Sequence, residues 1–465
     1  MRTLALSVPL GWLASSVSMA RAAPRSRRNV LLIIADDQGR DLGVYGNPVI
    51  RTPNIDRLAA RGTLFTHAFS NVSSCSPSRA VLYTGLYAHS NGMYGLAHDV
   101  HNQHLLPWVR TLPQLLKQAG YLTALVGKKH VLPDDALPFD AELAPEQPGN
   151  RDVAHMAQEA KAFMSKAGAQ PFAVVVGFSD PHRAAENFGN TREWPSVERV
   201  RYDPRKVIVP AHLPDLPEVR EDLAQYYESI SRLDSAVGLL LEALADTGHA
   251  DDTLVVYLSD NGRPFPGAKT TLYDDGIHLP LIIAAPGRRG GVRNEAMVGW
   301  VDILPTLLDW TGAPAPPYEL PGRSLLPILE QSSPQAWDRV FASHGFHEIH
   351  QYYPMRALRT RDYKYIVNLA PELPYPIAGD VASSPSWRAI TAKPDARLGA
   401  RTLDAYLHRP AEELYALESD PHEVVNLAGE RAAREVLAEM RSELERFRIE
   451  TRDPWLPGQF SPFGH

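Results

Sequence analysis

Unbroken apolar runs recur along the chain, at Asn29–Ala35, Tyr121–Gly127, Phe172–Ser179, Thr253–Ser259 and Leu279–Pro286. None alternates between apolar and polar positions, so each predicts a strand buried on both faces, as in a parallel sheet covered by helices. The segments between them carry helix punctuation. Thr52-Pro53 opens a helical stretch that Gly62 closes, and Thr111-Leu112-Pro113 opens another that Gly120 closes. Residues 221–245 form a long amphipathic stretch that ends near Gly248. Strands alternating with helices predict a doubly wound, mostly parallel α/β sandwich over residues 27–336.

The pattern changes from about Trp337. Short aromatic pieces at Tyr352-Tyr353 and Tyr363–Asn368 read as strands, and residues 370–400 are rich in Pro, Ser and Ala. A charged amphipathic helix is expected over about Glu430–Glu450. Together these predict a smaller α+β domain over residues 337–465. At the other end, Arg2 precedes an apolar run through Met19 and the small-x-small triplet Ala20-Arg21-Ala22, the pattern of a cleavable signal peptide over residues 1–22. The run is short and broken by Pro9 and Gly11, unlike a membrane anchor. The expectation is an exported protein, periplasmic or secreted, with no membrane attachment after cleavage.

A formal net charge of −7 argues against a general nucleic-acid binder, which needs a basic face. It leaves room for a small anionic ligand in a local basic pocket. The single cysteine excludes an intrachain disulfide and a cysteine-rich metal centre. Any metal would be held by oxygen or imidazole.

Ligands of open parallel sheets bind beyond the carboxyl ends of the strands. Four runs end there in polar clusters: Asp36-Asp37, Lys128-Lys129-His130, Asp180-Pro181-His182 and Asp260-Asn261-Gly262. Asp36, Asp37, Asp260 and Asn261 offer hard oxygen donors, which suit Ca²⁺ or Mg²⁺. Either pair alone reads equally well as a helix cap or an Asx turn. His182 is a candidate general acid or base, and Asp180 could orient it or hold substrate. Cys75 stands just before a helical start at Pro77, where the helix dipole favours an anion and lowers a thiol's pKa. Its polar neighbours predict that it is not buried.

The stretch Cys75-Ser76-Pro77-Ser78-Arg79-Ala80, with Thr84-Gly85 beyond it, resembles the signature of the type I sulfatases. Asn29–Gln38, Gly127-Lys128, Ser259–Gly262 and Asp420-Pro421-His422-Glu423 resemble other landmarks of that family. Asn91–Ala97, Gly127–Leu132, Asp180–Arg183, Arg263–Gly267, His347-Glu348 and Glu450–Trp455 are similar to the sulfamidases (heparan N-sulfatases) in particular.

The resemblance implies an alkaline-phosphatase-like fold in which residues 27–336 are the catalytic domain. It implies oxidation of Cys75 to Cα-formylglycine by a maturation enzyme, and Ca²⁺ (or Mg²⁺) held by Asp36, Asp37, Asp260, Asn261 and the modified Cys75. Arg79 and His130 would hold the aldehyde hydrate, Lys128 and Lys269 would neutralise the sulfate, and His182 would protonate the leaving group. Asp180 and Glu348 would recognise a terminal sulfated glucosamine. A homodimer is compatible with the family. The expected activity is hydrolysis of the N-sulfate of N-sulfoglucosamine. The alternatives are an O-sulfatase or arylsulfatase, a phosphonate or phosphodiester hydrolase, and an inactive carbohydrate-binding relative.

Overall fold

A computed structural model describes residues 28–145, 151–194 and 197–456, so the expected signal peptide lies outside the described residues. Strand β1 (Asn29–Ala35) is buried at every position, and its alternate side chains enter two different cores. Leu31, Ile33 and Ala35 pack with the helices Pro53–Arg61, Val153–Ala167 and Pro217–Asp246. Val30, Leu32 and Ile34 pack with Cys75–Thr84, Leu112–Gln118 and Ile303–Thr311. Burial on both faces is the reason the strand is apolar throughout.

The remaining strands of this sheet are β2 (Thr63–Phe69), β3 (Leu122–Gly127), β4 (Ala141–Leu143), β5 (Phe172–Gly177), β6 (Thr253–Ser259), β7 (His278–Ala284) and β8 (Val292–Gly299). Their order is β4-β3-β5-β1-β6-β7-β2-β8. β1 pairs in parallel with β5 and β6, while β7 runs antiparallel to both of its neighbours, β6 and β2. The sandwich is therefore doubly wound and mostly parallel, with one reversed strand. That reversal brings both ends of the 260–277 connection to the same rim.

A second, antiparallel sheet follows, built from β9 (Arg339–His344), β10 (Met355–Thr360), β11 (Tyr363–Asn368) and β12 (Glu412–Ala416) in the order β12-β11-β10-β9. Tyr352-Tyr353, read as a strand from its aromatics, precedes β10 as irregular chain. The helix Arg434–Glu450 lays Leu437, Met440, Leu444 and Phe447 into the same core that holds Leu358 and Tyr365 of this sheet and Val30 of β1. One continuous apolar body thus joins the two sheets. Among the described residues no helix is long and apolar enough to cross a membrane.

The C-terminal helix is pinned by a buried fork. Arg356 Nε and Nη2 donate to Asp453 Oδ2 and Oδ1 at 2.8 and 2.7 Å, and Arg448 Nε donates to Asp453 Oδ2 at 2.7 Å. Burial would raise the Asp453 carboxyl, but the charge and hydrogen bonds of Arg356, with His89 and Arg448, together hold it far below the usual range. Arg356 is fully buried. Asp453→Ala strands that guanidinium in the interior and is expected to cost about 3–5 kcal/mol, read as a lower urea midpoint.

Candidate active site

The polar cluster is built by the chain ends of adjacent strands. β1 delivers Asp36, and Asp37 follows at φ 62°, a left-handed turn that sends the second carboxylate away from the first. Asp37 N donates to Asp260 Oδ1 at 3.0 Å, and Asn261 Nδ2 donates to Asp37 Oδ1 at 2.7 Å. Asp260 and Asn261 come from the end of β6, the neighbour of β1. The long helix Pro217–Asp246 supports this corner through Tyr226, whose hydroxyl accepts from Gly39 N at 2.9 Å and donates to Asp37 O at 3.2 Å.

Cys75 is the first residue of its helix, with Sγ 3.7 Å from Asp37 Oδ1. Ser78 Oγ ties that helix to the Asp260 carbonyl at 2.5 Å. Ser74 Oγ bonds His347 Nδ1 of the second unit at 2.8 Å.

Cations interleave with these acids. Arg79 Nε donates to Asp260 Oδ2 at 2.9 Å, and its Nη2 lies 3.6 Å from Asp36 Oδ1. Lys128 Nζ lies 2.7 Å from Asp36 Oδ2. Lys269 Nζ lies 2.8 Å from both Asp37 Oδ2 and Asp380 Oδ2. His182 Nε2 is 3.3 Å from Lys269 Nζ, 3.6 Å from Asp37 Oδ2 and 3.7 Å from Asp380 Oδ2. Gly177 permits the close packing here: a Cβ on it would stand 2.3 Å from Lys128 O and 2.9 Å from Arg79 Nη1.

Charge separates the two central acids. Burial would raise Asp36, but Lys128, His182 and Arg79 together hold it well below the carboxylate range. Asp260 is pushed up, by burial first and then by the Asp36 charge. Asp36 Oδ1 and Asn261 Oδ1 are buried and accept no hydrogen bond. Ligand atoms of Asp36, Cys75 and Asp260 lie within 4.8 Å of one another. Clustered carboxylates and unspent oxygen lone pairs in one small volume fit a hard divalent cation.

A cavity of about 950 Å³ opens over this rim. Asp36, Cys75, Lys128, His130, His182 and Lys269 line it, as do Glu348, His347 and Asp380 from the second unit. His130 Nε2 is paired with His98 Nδ1 at 2.6 Å, and burial followed by the Lys128 charge lowers its pKa.

Three expectations need correction. Cys75 is buried at 1% exposure, and the hydroxyls of Ser74, Ser76 and Ser78 beside it find their partners inside the fold, in His347, Ala97 N and the Asp260 carbonyl. Its thiol is accordingly raised well above its usual pKa by burial, which overcomes any helix-dipole effect. Asp180 is wholly buried and does not line the cavity. Its oxygens accept from Arg232 Nε and Nη2, both at 2.7 Å, and from Arg151 Nη1 at 2.5 Å. Arg151 Nη2 in turn holds the His182 carbonyl at 2.8 Å. Asp180 therefore braces the loop that carries His182 rather than meeting a sugar. Glu348 is a cavity residue, held by Gly379 N at 3.0 Å. Sequence reasoning missed Asp380, which sits in the Pro/Ser/Ala-rich stretch on the short helix Gly379–Ala382. No periodic or motif signal marks it.

The geometry has counterparts. A family model described as Sulfatase matches residues 28–313. The chain belongs to the sulfatase family. As such it is a hydrolase of sulfuric esters or sulfamates. A second model, N-sulphoglucosamine sulphohydrolase, C-terminal, matches residues 268–372. This sulfatase is 40% identical to N-sulphoglucosamine sulphohydrolase of Homo sapiens over 471 residues, covering 95% of this chain and 93% of the relative. It is 29% identical to an ulvan-active sulfatase of Formosa agariphila, covering 88% and 77%.

Among solved structures, a protein in complex with its substrate D-glucosamine-2-N,6-O-disulfate superposes with TM-score 0.68 at 22% identity, covering 92% and 98%. The phosphonate monoester hydrolase of Agrobacterium radiobacter superposes with TM-score 0.66 at 23% identity, covering 92% and 97%. At such identities the likeness speaks for the shared alkaline-phosphatase-like fold alone.

A cation that binds only the folded cluster stabilises it by mass action. Ca²⁺ added to chelator-treated sulfatase is expected to raise the thermal unfolding temperature. The gain is about 2.7 kcal/mol at a hundredfold excess over Kd. Asp260→Asn should blunt that response in the same melting experiment.

Proposed function

We propose that this sulfatase removes the N-sulfate of a terminal N-sulfoglucosamine in heparin or heparan sulfate fragments and releases inorganic sulfate. One observation carries the reading. The 40% identity to human N-sulphoglucosamine sulphohydrolase covers 95% of the chain, so it takes in both the rim that holds Cys75 and the seam that supplies His347 and Glu348.

Asp36, Asp37, Asp260 and Asn261 would hold Ca²⁺ beside residue 75, and the ion would supply Lewis-acid polarisation of a sulfate oxygen. A maturation enzyme would oxidise Cys75 to Cα-formylglycine, whose hydrate supplies the hydroxyl nucleophile. Arg79 and His130 would fix the oxygens of residue 75. Transfer of a sulfuryl group leaves negative charge on its equatorial oxygens, and fixed cations stabilise it best where water is excluded. Lys128 and Lys269 fit that role, since both are nearly buried yet line the cavity.

His182 Nδ1 faces the Arg183 carbonyl at 2.6 Å, so it carries the hydrogen and leaves Nε2 to the cavity. As the imidazolium, His182 can pass its Nε2 proton to the leaving nitrogen, which departs poorly unless protonated. Glu348, with its side chain 21% exposed at the cavity wall, would accept hydrogen bonds from sugar hydroxyls.

Two measurements test the reading. Matured enzyme should release sulfate from N-sulfoglucosamine and leave 6-O-sulfoglucosamine intact; release from the ester alone would make it an O-sulfatase. Peptide mass spectrometry across Ser73–Arg79 should find H₂S exchanged for O at Cys75, and an unmodified thiol in active enzyme would remove the proposed nucleophile.

A further inference from the structure

Lys269 stands between two carboxylates, Asp37 and Asp380, each 2.8 Å from its ammonium. Asp37 belongs to the cation cluster. Asp380 does not: it comes from the short helix Gly379–Ala382 of the second unit, and its side chain is 19% exposed in the cavity wall. Its Oδ1 accepts from Val381 N at 2.9 Å, which aims Oδ2 at Lys269 and His182. Burial would raise this carboxyl, but Lys269, His182 and His347 keep it ionised. An anion here opposes the binding of an anionic sulfate, by ordinary like-charge repulsion. A pocket made only to hold sulfate is better without it.

A charge that hinders substrate binding is useful if a positive charge appears later on the path. We propose that Asp380 selects a nitrogen leaving group, its carboxylate complementing the cation that forms at the sulfamate nitrogen. The inference rests on the N-sulfate reading above. In a sulfamate, R–NH–SO₃⁻, the nitrogen takes the Nε2 proton of the His182 imidazolium, which is left as the neutral Nδ1–H imidazole, and becomes R–NH₂⁺–SO₃⁻. The S–N bond then breaks, its electron pair goes to nitrogen, the sulfuryl group passes to the attacking hydroxyl oxygen as that oxygen's proton leaves to solvent, and neutral R–NH₂ departs. In a sulfate ester the bridging oxygen takes its proton as it leaves and departs as neutral R–OH. Positive charge stands on the bridging atom of the sulfamate, and Asp380 lowers the energy of that species selectively.

The test compares kcat/KM for N-sulfoglucosamine and for 4-nitrophenyl sulfate in matured, Ca²⁺-loaded wild-type and Asp380→Asn enzymes. Asparagine keeps the size and can still accept from Lys269. The N-sulfate value is expected to fall about 10²-fold and the aryl sulfate value less than about tenfold. Equal losses would make Asp380 merely the partner of Lys269, and no loss would also overturn the proposal.

A second measurement needs no variant. Calorimetry on the wild-type protein near neutral pH should find glucosamine, as its ammonium, bound at least about tenfold tighter than uncharged N-acetylglucosamine. Equal or reversed affinities would count against a carboxylate facing the nitrogen. Wild-type enzyme that cleaves the aryl sulfate but never N-sulfoglucosamine would sink the functional reading itself, and this inference with it.

Discussion

The site depends on charges of opposite sign being packed alternately where water is excluded. Asp36, Asp37 and Asp260 sit at zero exposure, and Arg79, Lys128 and Lys269 reach between them. Removing any one member would leave a buried charge without its counterpart, which costs far more than a surface pair of the same geometry contributes. The sheet makes this arrangement affordable. β1 and β6 are neighbours whose ends bring Asp36, Asp37, Asp260 and Asn261 together, where Asp37 bonds both Asp260 and Asn261. The remaining imbalance, a raised Asp260 and unspent oxygens on Asp36 and Asn261, is what a divalent ion would neutralise.

Much of this was legible in the sequence, for reasons that differ by element. The apolar runs of β1, β3, β5, β6 and β7 are central strands covered on both faces, so their composition alone announces them. β2 carries Thr66 and His67 within it, β4 has three residues, and β8 alternates at its start. Such strands leave no clean pattern. The direction of β7 was equally hidden, because an apolar run looks the same whichever way it points.

Within the site, residues beside a strand end could be found by position, as Asp36, Lys128, His182 and Asp260 were. Asp180 misled because it shares that position yet turns inward to Arg151 and Arg232. The burial of Cys75 was misjudged since polar neighbours usually mean solvent, whereas here Ser74, Ser76 and Ser78 bond His347, Ala97 N and the Asp260 carbonyl inside the fold. Asp380 had no signature, because its place is set entirely by how the second unit docks.

That docking divides the labour. The large sheet supplies the nucleophile position, the oxygen donors and the cations, while the smaller unit adds His347, Glu348 and Asp380 to the cavity lining. The apolar body shared by the two sheets keeps the walls in register.

The reversal of β7 has one more effect. Residues 260–277 join two hydrogen-bonded neighbours, so this rim is an enlarged hairpin and not a crossover. Closing such a loop loses little chain entropy, and its two feet are anchored in the ladder itself. Asp260, Asn261 and Lys269 thus hang from one pair of hydrogen-bonded strands, so the cavity floor is tethered at both feet to the sheet.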